Sequence, residues 1–202
     1  MKILIACEFS GTVRDAFIAK GHDAISCDIL PTESEGPHLQ GCITQYLYDG
    51  WDMMIAHPPC TYLANSGVQH MYNGRKKENG FNKERVKHML EAKEFFIKLL
   101  SAPIPKICVE NPVPHKFACL PPYSQIVQPY FFGEEAQKKT CLWLKGLPEL
   151  EPTNIVGKGE QYYDKNGKKN GSKWYQLKNA ANGKGRSVTF KSIANAMAEQ
   201  WG

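Results

Sequence analysis

The fold is indicated most clearly by the stretch Trp51-Asp52-Met53-Met54-Ile55-Ala56-His57-Pro58-Pro59-Cys60-Thr61, a short apolar run that ends at two prolines. Proline has no N–H to donate to a neighbouring strand, so the chain must leave the sheet at this point. Cys60 is then held on a stiff turn at the carboxyl end of a buried strand, where open α/β sheets bind their ligands. A single cysteine in such a place is more often a buried structural thiol than a nucleophile, because free cysteine is among the most buried residue types.

Upstream of this stretch, the pattern predicts a strand–turn–helix–strand unit. Residues 2–7 alternate as an apolar strand, residues 8–12 follow as a turn, and residues 13–20 have the apolar spacing of a helix. A second strand over residues 23–27 ends at Asp28. Two strands joined by a crossover helix run parallel. The sequence therefore predicts an α/β fold with a mostly parallel sheet.

Downstream, the pattern predicts a loop and then further strands and helices. Residues 61–80 are rich in Asn, Gly, Tyr and Lys, which predicts a long exposed loop. Asn82 is a suitable N-cap for a helix that runs to Leu100. The remaining predictions are strands at 106–110, 125–132 and 140–144, with the first of them stopped by Asn111-Pro112, and a closing helix at 192–201.

Composition narrows the class of protein. A chain of 202 residues with 42% hydrophobic and 22% charged residues is typical of one ordinary globular domain. No apolar segment is long enough to span a bilayer, and the N-terminus is too strand-like for a signal peptide, so we expect a cytoplasmic protein without a membrane partner. Its seven cysteines are expected to be reduced thiols, and because no CxxC pair is present we expect no metal site.

The positive charge is concentrated near the C-terminus. Between Glu149 and Lys191 stand nine basic and four acidic residues, a surplus equal to the net charge of +5 of the whole chain. The same segment is rich in Gly and Asn and contains the aromatic pairs Tyr162-Tyr163 and Trp174-Tyr175. Such a segment can contact phosphates and stack on bases. A flexible soluble excursion explains it equally well, and both interpretations stay open.

Two features at the ends of the first two strands are candidates for cofactor binding. Phe9-Ser10-Gly11 follows the first strand, where backbone N–H groups and a helix N-terminus favour the polar end of a cofactor. Asp28 ends the next strand, where a carboxylate can accept hydrogen bonds from ribose hydroxyls. A simple glycine turn and a solvated acid are the structural alternatives, and each is about as common as the functional interpretation.

Cys60 and Glu110 form a second constellation, because each directly follows a predicted strand and each is held by proline. A thiolate and a carboxyl group at one sheet edge would suit attack on an electron-poor ring, with the acid donating a proton. Taken singly, Glu110 is more simply an acid that bonds nearby N–H groups. Gln137-Lys138-Lys139 precedes a strand and could hold a base or phosphate, or form a solvated turn. The histidines show no metal-ligand spacing and are interpreted as structural or exposed: His57, His70, His88 and His115.

In their order along the chain, these motifs resemble the DNA (cytosine-5) methyltransferases, as a short, divergent member of the phage type. The stretches that carry the resemblance are Phe9-Ser10-Gly11, Asp28-Ile29, Pro58-Pro59-Cys60 with Ser66-Gly67, Glu110-Asn111-Pro112, Gln137-Lys138-Lys139 and Ile193-Ala194-Asn195-Ala196-Met197. The chain departs from the family pattern at several positions. Cys7 and Cys42 stand where the family usually has aspartates, His57 replaces a glycine, and lysines replace arginines that would offer a planar fork.

The resemblance implies a Rossmann-like S-adenosylmethionine-dependent methyltransferase fold. Its catalytic domain would comprise residues 1–148 and 187–202, and residues 149–186 would be a small basic target-recognition-like insertion. The implied activity is methylation of cytosine C5 in DNA through a covalent Cys60 adduct, with Glu110 protonating or hydrogen-bonding N3 and Lys139 as a further catalytic residue. The implied cofactor-binding residues are Phe9, Ser10, Gly11, Asp28, Ile29, Cys42, Ile43, Pro58 and Asn195.

Two alternatives belong to other functional classes. The substitutions at Cys7 and Cys42 and the small basic segment are compatible with a nucleic-acid or nucleotide-binding protein that keeps the fold without turnover. An enzyme that modifies a free pyrimidine nucleotide would use the same Cys60 and Glu110 chemistry. The sequence carries no signal for the oligomeric state or the target DNA sequence.

Overall fold

The computed structural model describes residues 1–163, 165–167, 169–176 and 183–202. The strands are β1 Lys2–Ala6, β2 Asp23–Asp28, β3 His38–Gln40, β4 Met53–Ala56, β5 Lys106–Pro112, β6 Gln125–Val127, β7 Thr140–Lys145, β8 Gln161–Tyr163 and β9 Lys169–Ser172. The α-helices are α1 Thr12–Ala19, α2 Lys83–Leu100, α3 Gly183–Ser187 and α4 Lys191–Trp201. Several short 3₁₀ helices lie between them.

Seven of the strands form one sheet in the order β3-β2-β1-β4-β5-β7-β6, and β8 and β9 form a separate two-stranded sheet. The first five strands are parallel, β7 runs antiparallel to β5, and β6 runs antiparallel to β7. The predicted α/β class with a mostly parallel, Rossmann-like sheet is confirmed. The predicted strand–helix–strand unit is also present, because β1 and β2 pair in parallel around α1.

The sheet is covered on both faces, which is why its central strands are apolar at every position. Ile3 and Ile5 point to the face that carries α1 and α4, where they pack in one core with Phe17 and Trp201. Their neighbour Leu4 points to the other face, where it shares a core with residues of α2. On that second face Phe96 of α2 and Trp143 of β7 meet edge to face, with ring centroids 4.9 Å apart.

Helix α2 begins and ends where the sequence predicts, because its signals are local. The Asn82 side chain accepts a hydrogen bond from the Arg85 backbone N–H at 3.0 Å, as expected of an N-cap. Met89, Phe96 and Leu99 form its buried face. In the described part of the chain, none of the helices has the length and apolar composition needed to cross a membrane.

Three strands differ between the prediction and the structure, each for its own physical reason. Strand β3 is missed by the sequence pattern, since it has three residues and pairs only with β2. Strand β5 does not stop at Glu110 but continues to Pro112, because Asn111 pairs with Cys141 of β7 and Pro112 pairs with Thr140. The strand predicted over 125–132 ends at Val127, because Pro129 begins a 3₁₀ turn.

Arg14 of α1 is fully buried and holds the loop that follows β2. Its guanidinium donates to the Glu35 carbonyl at 2.8 Å, to the Ser34 hydroxyl at 2.6 Å and to the Ser26 hydroxyl at 3.1 Å. The Asp15 carboxylate accepts from its Nε at 2.8 Å. These bonds satisfy a buried charge and fix the loop to the helix.

Replacing Arg14 should therefore destabilise the fold. We expect Arg14→Met to lower the free energy of unfolding by about 3 kcal/mol, because it leaves several buried acceptors without a partner. Urea denaturation followed by circular dichroism measures this difference. Lys87→Met, at an exposed position of α2, is the matched control and should change the stability by less than about 0.5 kcal/mol. Equal stability of the two variants would contradict the role of Arg14.

Candidate active site

The candidate site lies at the carboxyl edge of the parallel strands, where the chain changes direction across the sheet. From β1 the chain proceeds to β2 and β3 on one side, and then returns to β4 and β5 on the other side. Such a switch point leaves a crevice between the two loops that follow the central strands, and α/β proteins bind ligands there. Here the two loops begin at Cys7 after β1 and at His57 after β4.

A cleft of about 1540 Å³ opens at this edge. Residues 7–10, 27–30, 41–43 and 59–61 line one part of it, together with His57. Residues 137–139 and parts of the segment 161–189 line another part. Pockets for a single small molecule usually measure about 300–1,000 Å³, so this cleft has room for two ligands side by side.

Glu8 occupies the N-terminus of α1, which the sequence analysis assigned to a cofactor. Its carboxylate accepts from the backbone N–H of Val13 at 2.7 Å and of Arg14 at 3.2 Å. Ser10 donates its hydroxyl to the same carboxylate at 3.3 Å. A buried acid is stabilised there by the helix dipole and these N–H groups. Glu8 therefore takes the Val13 and Arg14 N–H groups and presents a carboxylate to the cleft, and the assignment of this loop to a cofactor stays a prediction.

Gly11 serves packing in this loop and does not line the cleft. Its φ of 74° lies in the left-handed region, and a side chain would meet the Ser34 hydroxyl and the Arg14 guanidinium. Phe9 and Ser10 do line the cleft. The glycine of this motif therefore allows the loop after β2 to approach α1 closely.

The opposite wall of this half of the cleft comes from the ends of β2 and β3. The Asp28 carboxylate accepts from the Leu30 backbone N–H at 2.9 Å and lines the cleft with Ile29. Ile29 is 73% exposed, an unusual placement for a large apolar side chain beside a cleft. Cys42 and Ile43 complete this wall. A hydrogen bond with the Thr44 hydroxyl lowers the pKa of the exposed Cys42 thiol.

The Pro-Pro-Cys turn is fixed by bonds from two neighbouring elements. Asn111 of β5 donates its side-chain N–H to the Pro58 carbonyl at 2.9 Å. The Cys60 carbonyl accepts from the backbone N–H groups of Leu63 and Ala64 at 3.0 and 2.9 Å. Arg85 of α2 donates to the Thr61 carbonyl. Cys60 is thus held on a rigid turn, and its side chain lines the cleft.

His57 and Glu110 form a buried hydrogen-bonded pair next to this turn. The His57 Nδ1 and Glu110 Oε2 atoms are 2.7 Å apart, and both side chains are less than one tenth exposed. Burial favours the neutral acid, but the hydrogen bond from His57 and the charge of Lys138 outweigh it and lower the pKa of Glu110. Glu110 is therefore ionised at neutral pH. The sequence interpretation of His57 as merely structural or exposed missed this contact.

Cys60 is electrostatically coupled to the same group of charges. Burial raises the pKa of the Cys60 thiol, and the Glu110 carboxylate raises it further. Lys138 and Arg186 act in the opposite direction but do not cancel these effects. The sulfur is therefore a neutral thiol at neutral pH, and it must lose its proton before it can act as a nucleophile.

Of the two lysines in the predicted motif, Lys138 acts on the candidate catalytic residues. It is Lys138 that influences the pKa of both Glu110 and Cys60, whereas Lys139 influences that of Cys141. The Lys138 ammonium faces the rings of Trp174 and Phe190 from one side, about 6 Å from each centroid, and donates to the Val188 carbonyl at 3.4 Å. Both lysines line the cleft.

The basic segment forms part of the cleft wall. Gln161 and Tyr162 of β8, Ser172 of β9 and Tyr175 line it, and so does Arg186 of α3. The predicted basic residues Lys168 and Lys178 lie outside the described residues. The aromatic and basic side chains therefore reach the same cleft as Cys60, and the boundaries predicted for an insertion at 149–186 stay a prediction.

The structure brings most, but not all, of the predicted site residues to one place. Those that line the cleft are Phe9, Ser10, Asp28, Ile29, Cys42, Ile43, Cys60 and Lys139. Gly11, Pro58 and Glu110 are not among the lining residues; Gly11 and Pro58 are next in sequence to lining residues, and Glu110 bonds the lining residue His57. Asn195 lies on an exposed position of α4 and is not among the lining residues. Within the described residues, no group of three or more His, Cys, Asp or Glu side chains is arranged to hold a metal.

Two solved structures are similar to this chain over about three quarters of its length. One is a proposed DNA modification methyltransferase encoded within a prophage of E. coli, with 12% identity and a TM-score of 0.47 over 77% of this chain. The other is the Entamoeba histolytica methyltransferase EhMeth, with 15% identity and a TM-score of 0.44 over 76% of this chain. The chain spans 51% and 57% of the lengths of these two structures. No protein-family model and no curated protein matches the chain, so the function proposed below rests on the residues of the site.

Cys42 and Cys60 both line the cleft, and the pKa values of their thiols are shifted in opposite directions. This difference gives a test of the site geometry. We expect iodoacetamide to alkylate Cys42 at a lower pH than Cys60, because the pKa of Cys42 is lowered and that of Cys60 is raised. Mass spectrometry of the tryptic peptides over a pH series measures both rates. Glu110→Gln should move the labelling of Cys60 to lower pH, because it removes a neighbouring negative charge, and should leave Cys42 unchanged. Labelling of Cys60 before Cys42 would show that the site is arranged differently.

Proposed function

We propose that the chain is an S-adenosylmethionine-dependent DNA (cytosine-5) methyltransferase. The observation that carries this proposal is the position of Cys60 on a rigid turn beside a buried, ionised Glu110, in a cleft that also contains the Phe9–Ser10 loop and Asp28. The proposed nucleophile, Cys60, and its proposed partner in proton transfer, Glu110, thus lie at the same cleft as the features expected of a nucleoside-binding site. The resemblance in motif order supports the same reaction.

The residues of the first half of the cleft fit the proposed cofactor. The Asp28 carboxylate stands at the end of β2, where it can accept hydrogen bonds from ribose hydroxyls. The exposed Ile29 and the neighbouring Ile43 offer apolar surface to an adenine ring. The Glu8 carboxylate suits the ammonium group of the cofactor's amino acid end. When bound there, this cofactor would supply an electrophilic methyl group.

Cys60 and its neighbours suit the activation of a pyrimidine ring. Cytosine C5 is a poor nucleophile until another nucleophile adds at C6, which the Cys60 sulfur would do. Since Cys60 is a neutral thiol at rest, its proton must move as the sulfur–carbon bond forms. A turn fixed by Asn111 and Arg85 keeps the sulfur in place during both addition and elimination.

DNA is the proposed polymer because basic and aromatic side chains border the cleft. A target cytosine would have to leave the duplex to reach a sulfur inside this cleft. Extruding a base costs a few kcal/mol, which phosphate contacts can offset. The cleft is bordered by Lys138, Lys139 and Arg186, and Tyr162 and Tyr175 provide aromatic rings on the same wall. We propose that residues 149–186 act as the small recognition segment.

The proposal is tested by transfer of a labelled methyl group from S-adenosylmethionine to DNA. We expect transfer by the wild-type protein and a loss of more than about 1,000-fold in Cys60→Ser, because serine cannot replace the thiolate nucleophile. Cys119→Ser, at an exposed thiol that does not line the cleft, is the matched control and should keep full activity. Label in mononucleotides instead of polymer would favour a free pyrimidine substrate. Cofactor binding without any transfer would favour the alternative of a binding protein.

The role of the basic segment is tested by the salt dependence of DNA binding. Each phosphate contact contributes about 0.9 to the slope of log K against log salt concentration. We expect the double variant Lys158→Ala/Lys165→Ala to reduce that slope by up to about 2. Fluorescence anisotropy with a labelled duplex measures it. The control Lys20→Ala/Lys106→Ala removes two charges near the opposite edge of the sheet and should leave the slope unchanged.

A further inference from the structure

Among the buried polar groups of the cleft that the proposed reaction has not yet used is the Nε2 atom of His57. Residue 57 follows β4 directly and lines the cleft, whereas Glu110 is not among the lining residues. The imidazole therefore stands between the Glu110 carboxylate and any ring that enters the cleft beside Cys60. In the family that the motifs resemble, a glycine usually occupies this position.

The hydrogen bond to Glu110 decides which nitrogen of His57 carries a proton. The ionised Glu110 carboxylate can only accept, so Nδ1 must be the donor across the distance of 2.7 Å. Nε2 is then the nitrogen that is available for chemistry. It is buried and has no hydrogen-bond partner among the described residues. A carboxylate on Nδ1 with an uncommitted Nε2 is the arrangement that makes an imidazole an acid and a base in turn.

We propose that His57 Nε2 exchanges the proton with N3 of the pyrimidine ring, and that Glu110 is a positioning residue that acts through His57. This inference rests on the proposed function and reassigns the proton transfer within it. Glu110 on β5 bonds the imidazole directly. The charge of Lys138, before β7, acts on both Glu110 and Cys60, and that of Arg186 acts on Cys60.

The proton balance of the reaction fits an imidazole in this place. Cys60 must lose a proton as its sulfur bonds to C6, and N3 must gain one as the electrons of the C5–C6 double bond move toward C4. His57 Nε2 accepts the thiol proton and donates it to N3. After C5 has received the methyl group, the C5 proton leaves to water and the sulfur–C6 bond breaks. The N3 proton then returns through Nε2 to the sulfur, so one proton is released overall.

A suicide substrate follows sulfur addition and methyl transfer without the final release of the product. DNA that contains 5-fluorocytosine keeps the bond between Cys60 and C6, because fluorine cannot leave as a proton does. In the presence of S-adenosylmethionine, the rate at which the protein is captured on this DNA can be followed by denaturing electrophoresis. His57→Asn keeps an N–H donor for Glu110 and removes only the group at Nε2. We expect it to slow capture by about 100-fold or more while melting at the same temperature as the wild type.

His57→Gly tests the same inference by chemical rescue. It removes the imidazole and leaves a space beside Glu110 that free imidazole can enter. We expect capture to be lost and then recovered when free imidazole is added. His22→Asn, at the opposite edge of the sheet, is the control and should respond to neither change. Glu110→Gln still accepts from Nδ1, so its capture should persist with a pH profile moved to lower pH, because the negative charge that raises the pKa of the Cys60 thiol is gone.

The outcomes separate the two proposals. Capture of the wild type at Cys60 together with slow, imidazole-rescued His57 variants supports both. Capture of the wild type with unaffected His57→Asn or His57→Gly overturns the role of His57 and leaves the proposed function standing. Absence of capture in the wild type overturns the proposed function and the role of His57 that rests on it.

Discussion

The register of three parallel strands is the constraint on which the site depends. Ala6 of β1 pairs with Ala56 of β4, and Ala56 pairs with Val109 of β5. The residues that follow are therefore brought to one level at the carboxyl edge of the sheet: Cys7, His57 and Glu110. The hydrogen bond between His57 and Glu110 follows directly from this alignment, because neighbouring strands in register lie about 5 Å apart. A shift of one residue in β4 would separate the pair and turn the Pro-Pro-Cys turn away from the cleft.

The features that the sequence predicts well are those whose causes lie within a few residues. Pro58 and Pro59 end β4 because of their own backbone chemistry, and Asn82 caps α2 with its own side chain. The end of β5 could not be read in this way, because its last residues extend along β7, which is some thirty residues away in the chain. The same holds for the charge pair of the site. Neither His57 nor Glu110 carries a sign of the other until the register of β4 and β5 is known.

Glu8 illustrates a different limit. The sequence shows an acid before a glycine turn. Such a turn usually predicts a helix N-terminus whose backbone N–H groups are available to a ligand. The carboxylate turns back to bond the first N–H groups of α1, and so converts a site for anions into a site with negative charge. The lining of the cleft consequently carries both signs: the Glu8 and Asp28 carboxylates belong to the part lined by residues 7–10 and 27–30, and Lys138, Lys139 and Arg186 belong to the part lined by residues 137–139 and the segment 161–189. A cationic cofactor and an anionic polymer would each meet the complementary part.

The clamp made by Arg14 has a consequence for how this cleft could change over evolution. The guanidinium contacts carbonyl and hydroxyl groups of the loop after β2 from beneath, so the course of that loop is set from inside the protein. The outward side chains Ile29 and Leu30 take no part in these bonds and are largely exposed. They are therefore free to vary in size and polarity while the backbone that carries them keeps its path. The backbone path of this wall and the side chains on its surface can therefore change independently during evolution.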